Sequence, residues 1–186
     1  MRRSKPGIFW GVSGSVLLLD AFTKTVAVDR LLPAYLPREI WGDQLRLTLV
    51  YNPGAAFGLH LGPMSRWIFI GLTGVALVIL GRLYLDTPLR HGVRTLALAL
   101  VTGGALGNLV DRLKSGRGVV DFIDVGVGAL RWPTFNVADI AVTTGALLLA
   151  YVLWNADGAP VHLTAAVPMP PVAPGAGDQP SAGTAG

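Results

Sequence analysis

Four apolar runs constrain this chain more than any other feature. They occupy residues 8–28, 67–85, 95–110 and 137–154. Each approaches the roughly 20 residues a helix needs to cross a bilayer. Within lipid every backbone N–H and C=O must be paired internally, which leaves helices and closed barrels as the spanning structures. Charged residues make up only 14% of the chain, against about 25% in a soluble domain. The expected fold is therefore membrane all-α: four transmembrane helices with a small extracytoplasmic β-sheet and loop region. Residues 1–156 are expected to form the membrane domain. Residues 157–186, rich in Ala, Pro and Gly, read as a disordered tail. The first run follows Arg2, Arg3 and Lys5 as a signal peptide would. Three further apolar runs, and no convincing small-x-small cleavage site, favour a retained span.

Four spans carry a topological consequence. Both termini share one side, and the loops at about 29–66 and 111–136 share the other. Asp20, Asn52, Asp111, Asp121 and Asp139 then gather at one membrane face. The basic start, with Arg90 and Arg94 in the short second loop, favours cytoplasmic termini by the positive-inside bias. Arginines in the other two loops weaken that asymmetry. In the first loop Leu45, Leu47, Leu49 and Tyr51 alternate with Gln44, Arg46, Thr48 and Val50, the period of a half-buried strand. Asn52-Pro53-Gly54 ends it as a turn. Gly103, Gly104, Ala105 and Gly107 in the third run suit close helix packing in lipid.

Composition removes several kinds of chemistry. The chain has no cysteine, so thiol nucleophiles, disulfides and thiolate metal sites are excluded. His60, His91 and His162 lie far apart, so no metal site or cofactor is expected. A net charge of +4 comes from scattered basic residues without a continuous patch, and no nucleic-acid partner is expected. The acids are ten aspartates and one glutamate. An aspartate against hydrocarbon is costly without a partner or a task.

Taken singly, the polar motifs have ordinary readings. Asn52–Gly58 reads as a turn followed by a small-residue strand. Asp111 and Arg112 read as an ion pair closing a helix, and Asp121 and Asp124 as solvated loop acids. Asn136 reads as an N-cap, and Asp20 and Lys24, four apart, pair on one helical face. Together at one face they read as a site, in which paired carboxylates suit acid–base hydrolysis with a shared proton. An ion-conducting protein or a membrane scaffold would be the alternatives. Acids clustered at one face leave no polar path through the helix centres, and a scaffold leaves the paired Asp motifs without a reason.

Over about residues 8–154 the chain resembles lipoprotein signal peptidase, or signal peptidase II, a family of bacterial membrane aspartic peptidases. Four blocks carry the resemblance in order: Asp20 to Lys24, Asn52 to Gly58, Gly103 to Arg112, and Val119 through Asp139. The resemblance implies that Asp121 and Asp139 are the catalytic pair. It implies that Asn52, Asn108, Arg112 and Asn136 bind or orient substrate, with Asp20, Lys24, Gly54, Asp111 and Ala138 in support. It further implies a monomeric enzyme of the bacterial cytoplasmic membrane, with its site toward the extracytoplasmic face. The substrates would be lipidated prolipoproteins drawn from among the membrane lipids. Ala21 stands where the family often has Gln, so no polar contact is expected there.

Overall fold

The structure, a computed structural model, describes residues 4–54 and 62–157. Ala55 to Gly58 of the Asn52 motif and tail residues 158–186 lie outside the described residues. Four helices dominate: α1 (Lys5–Leu31), α2 (Ser65–Leu85), α3 (Gly92–Lys114) and α4 (Val137–Asp157). All four are long and apolar enough to span a bilayer. Ser4 caps α1 by accepting the Gly7 amide at 3.2 Å. Pro33 stops it, since the residue before a proline is pushed out of the α region, and Leu32 is extended. At 27 residues α1 is about 40 Å long, beyond a hydrocarbon core of about 30 Å. Its last turns pack Ala27 and Leu31 against Leu49 and Phe122 of a small sheet.

α3 is the hub and touches the other three helices. Its glycines permit this. A Cβ on Gly103 would lie 2.8 Å from the Ser13 carbonyl oxygen, one on Gly104 2.3 Å from that of Ala138, and one on Gly107 2.5 Å from Asp20 Oδ2. Without a hydrophobic drive between helices, such close backbone approach supplies the packing energy. α2 is the outlier, burying only Ser65 and Leu80 and turning Trp67, Leu72, Val75 and Val78 outward. It is tied at one end by Arg66 Nε, which donates to the Arg112 carbonyl at 2.6 Å. At the other end Lys5 Nζ donates to the Thr87 carbonyl at 2.6 Å.

The sheet is antiparallel, in the order β1 (Arg38–Trp41), β2 (Leu45–Asn52), β3 (Val119–Val127) and β4 (Leu130–Arg131). β2 is the strand that the alternation predicts. Leu47, Leu49 and Tyr51 join the apolar cluster under the sheet. Val50 faces Asp121 across the ladder, and Asn52 faces Val119. Gly118 has φ +102°, and a Cβ there would lie 2.1 Å from the Asn52 carbonyl oxygen. Only glycine meets both demands.

Asp124 is not the solvated loop acid of the simplest reading, being only 5% exposed. Its Oδ1 accepts from Arg131 Nε and Nη2 at 2.9 and 2.7 Å. Its Oδ2 accepts from Thr48 Oγ1 at 2.9 Å and Arg46 Nε at 3.1 Å. Burial pushes this carboxyl up, but the bonds from Arg131, Thr48 and Arg46 outweigh it and hold it below its ordinary value. The clamp joins β2, β3 and β4, and it explains why the polar side of β2 is covered too. A depressed acid stabilises the fold above its ordinary value and loses that contribution as pH falls through its folded value. Asp124→Ala is expected to lower stability by about 1–3 kcal/mol at neutral pH. Thermal unfolding in detergent checks this, and the gap to wild type should narrow below the ordinary value of 3.8.

Candidate active site

The site forms where the first turn of α4 meets β3, α3 and α1. Asn136 is the N-cap that its sequence position predicts, and Asp139 completes a reciprocal capping box. Asn136 Oδ1 accepts the Asp139 amide at 2.9 Å, and Asp139 Oδ2 accepts the Asn136 amide at 3.1 Å. The next free amide of that turn, on Ala138, donates to Asp20 Oδ1 of α1 at 2.9 Å. Ala138 is fully buried, and its small side chain lets α3 lie close at Gly107.

Asp121 and Asp139 meet around Asn136. The Asn136 Nδ2 group donates to Asp121 Oδ1 at 2.7 Å, while Asn136 Oδ1 holds the Asp139 amide. Asn52 Nδ2 donates to Asp121 Oδ2 at 3.1 Å, which the β2–β3 register makes possible. Asn108 Nδ2 of α3 donates to Asp139 Oδ1 at 2.8 Å. Asp121 is 2% exposed, whereas Asp139 is half-buried. Burial, and next the charge of Asp139, push Asp121 up to about 7. Like charges held close disfavour double ionisation, so the pair retains one proton near neutral pH.

A cavity of about 780 Å³ opens beside the pair, with Asn52, Arg112, Asp121 and Asp139 on its wall. Asn108 and Asn136 do not line it. They stand behind the carboxylates because their amides are already engaged by the helix start and by each other. Arg112 lies within electrostatic reach of both acids. It donates to the carbonyl of Gly54 at 3.2 Å, and Gly54 in turn gives its amide to Asn52 Oδ1 at 3.0 Å. Asp111 pairs not with Arg112 but with Lys24, at 2.8 Å. One turn of α3 places neighbouring residues on different faces, so Asp111 turns toward α1 while Arg112 turns toward the cavity. Asp20 pairs with Lys24 at 2.7 Å, as their spacing predicts.

Trp132, Phe135, Ile140 and Thr143 also line the cavity, and none of them was marked as a site residue by its sequence motif. For Thr143 a signal existed, since it lies four residues beyond Asp139 and shares its helical face. The strand nature of β3 was also legible in Val119-Val120-Asp121-Phe122-Ile123, a β-branched and aromatic run.

Four apolar helices, a sheet across one end, and two carboxylates on one cavity wall are the fold and site expected of a multi-pass membrane peptidase of the aspartic type. The family model for signal peptidase (SPase) II, a peptidase of family A8, matches residues 12–155. The chain belongs to the signal peptidase II family. It is 45% identical over 147 residues to the lipoprotein signal peptidase of Burkholderia mallei (strain SAVP1), a match covering 76% of this chain and 84% of the relative. It is 44% identical over 146 residues to that of Paraburkholderia phymatum, with the same coverage. Among solved structures it is similar to a bacterial membrane enzyme determined by the in meso method at 2.3 Å. There the TM-score is 0.71 and the identity 29%, over 78% of this chain and 87% of the other. A second such structure, at 1.9 Å, gives a TM-score of 0.67 and 30% identity, over 76% and 89%.

The raised Asp121 has a consequence for stability. An acid whose folded value is raised favours the fold below its ordinary value, and that contribution is lost as pH rises through the folded value. Melting temperature in detergent is expected to fall between about pH 4 and pH 7 on this account. The slope should be shallower in Asp121→Asn, which calorimetry across that range will read.

Proposed function

We propose that this chain removes the signal peptide from diacylglyceryl-modified prolipoproteins, cutting just before the lipidated cysteine. The observation that carries this reading is the pairing of Asp121 with Asp139 through one Asn136 side chain on the wall of a single cavity. The name lipoprotein signal peptidase, borne by relatives at 45% identity, supplies the substrate class.

Asp121 holds the shared proton, since it is the more buried member and is raised to about 7. Asp139 faces the cavity and takes a proton from water, while Asp121 donates to the scissile carbonyl as it becomes tetrahedral. The pair titrates as a unit, and neither a metal nor a covalent intermediate is invoked. Arg112 and Asn52 bind peptide carbonyls freed as the signal helix unwinds, because unpaired backbone is expensive in lipid. The cavity also runs along α4 past Ile140, Thr143 and Thr144, whose side chains are exposed. A lipid-borne substrate can enter from that side. The remaining parts of the reading are cytoplasmic termini, a site on the extracytoplasmic face, and a monomeric enzyme.

The test is cleavage of a diacylglyceryl-modified prolipoprotein by the purified protein in detergent. Wild type should cleave, with Asp121→Asn and Asp139→Asn each slower by about a thousandfold or more while remaining folded. Near-normal turnover by either variant would sink the mechanism. The activity of wild type should also decline as pH rises through about 7, where Asp121 loses its proton.

A further inference from the structure

Lys24 is 4% exposed, and its ammonium meets three acceptors at once. Asp20 Oδ2 lies at 2.7 Å, Asp111 Oδ2 at 2.8 Å and Asn108 Oδ1 at 2.9 Å. An ammonium has three N–H groups and no acceptor, so this set uses every one. The two carboxylates account for charge. The third bond is different, since Asn108 is neutral and its amide has two possible orientations. Lys24 can only donate, so it admits Asn108 with its oxygen inward. The Nδ2 group is then forced to the opposite side, where it donates to Asp139 Oδ1 at 2.8 Å. Asn136 Nδ2, at 3.2 Å from the same Asn108 oxygen, reinforces that orientation.

We propose that Lys24 is a positioning residue for the peptidase reaction: through Asn108 it aims an N–H at Asp139 and fixes where that carboxylate points. The inference rests on Asp139 being one of the reacting pair. In a flipped amide the Asn108 oxygen would face the Asp139 carboxylate, acceptor against acceptor, and turn it away. Lys24 thus acts at two bonds' remove from the cavity, which it does not line.

The alternative role for Lys24 is charge compensation alone. Two triple variants separate the two, both made in Asp20→Asn, Asp111→Asn so that no buried charge is left uncompensated. Both substitutions keep an acceptor oxygen for the Ala138 amide, which donates to Asp20 Oδ1 at 2.9 Å, and for the Val120 amide, which donates to Asp111 Oδ2 at 3.2 Å. Lys24→Gln in that background keeps an N–H for Asn108, whereas Lys24→Met has none. The proposal expects both to fold, with kcat for the Met variant about 100-fold below the Gln variant and KM similar, the scale of a small misplacement at a reacting group. Equal kcat in two folded variants overturns it. Should either variant not fold, wild-type protein in lipid carries the decision. Magic-angle-spinning NMR should place Asn108 15Nδ2 against the Asp139 carboxyl carbon and the Asn108 side-chain carbonyl against Lys24 15Nζ. The reverse arrangement, or no contact, overturns the proposal. Wild-type cleavage in the same assay, with loss in Asp139→Asn, keeps failure here distinct from failure of the peptidase reading.

Discussion

A helix that begins inside or beside a membrane has amides in its first turn with no partner of their own, and water is scarce there to serve them. The start of α4 meets that demand with the polar groups of the site. Asp20 takes the amide of Ala138, Asn136 takes that of Asp139, and Asp139 takes that of Asn136. Each acceptor has a second engagement. Asp20 pairs with Lys24, Asn136 holds Asp121, and Asp139 receives Asn108. Satisfying one helix end therefore ties together α1, α3, α4 and β3, and the two carboxylates are brought side by side as part of that closure. The positive end of the helix dipole also favours an acid at Asp139.

The packing of α3 makes this closure reachable. Asp20 comes close enough to Ala138 only because α3 presents Gly104 and Gly107 between them, with no side chain to hold the helices apart. A methyl at Gly107 would occupy the place of the Asp20 carboxylate itself. The glycines in that run thus serve the polar cluster as well as helix contact. Fully bonded buried networks of this kind also fix a unique arrangement.

Much of this was legible in the sequence, because membrane chains are patterned by strong constraints. The four runs had to be helices, and an even number of crossings forced the loops holding Asn52 and Asp121 to one side. The Asn136 cap and the Asp20–Lys24 pair followed from spacing alone. What spacing does not encode is which neighbour a side chain chooses. Asp111 stands next to Arg112 in sequence yet pairs with Lys24, since consecutive helical residues face about 100° apart. Asp124 looked exposed because its partners, Arg46, Thr48 and Arg131, are distant or on other strands. The third loop proved to be half of a sheet, and without that register the bond from Asn52 to Asp121 had no local signature.

Asn136 gives the pair a property that helices alone would not. Transmembrane helices tilt to suit bilayers of different thickness, and two carboxylates carried by two such helices would part and close with the lipid. Here the strand-borne carboxylate accepts from the Asn136 side chain and the helix-borne one from the Asn136 backbone amide, so both are gauged against one residue. Changes in bilayer thickness then move the helices around the pair, while the gap between the two acids stays set by their hydrogen bonds to that one residue.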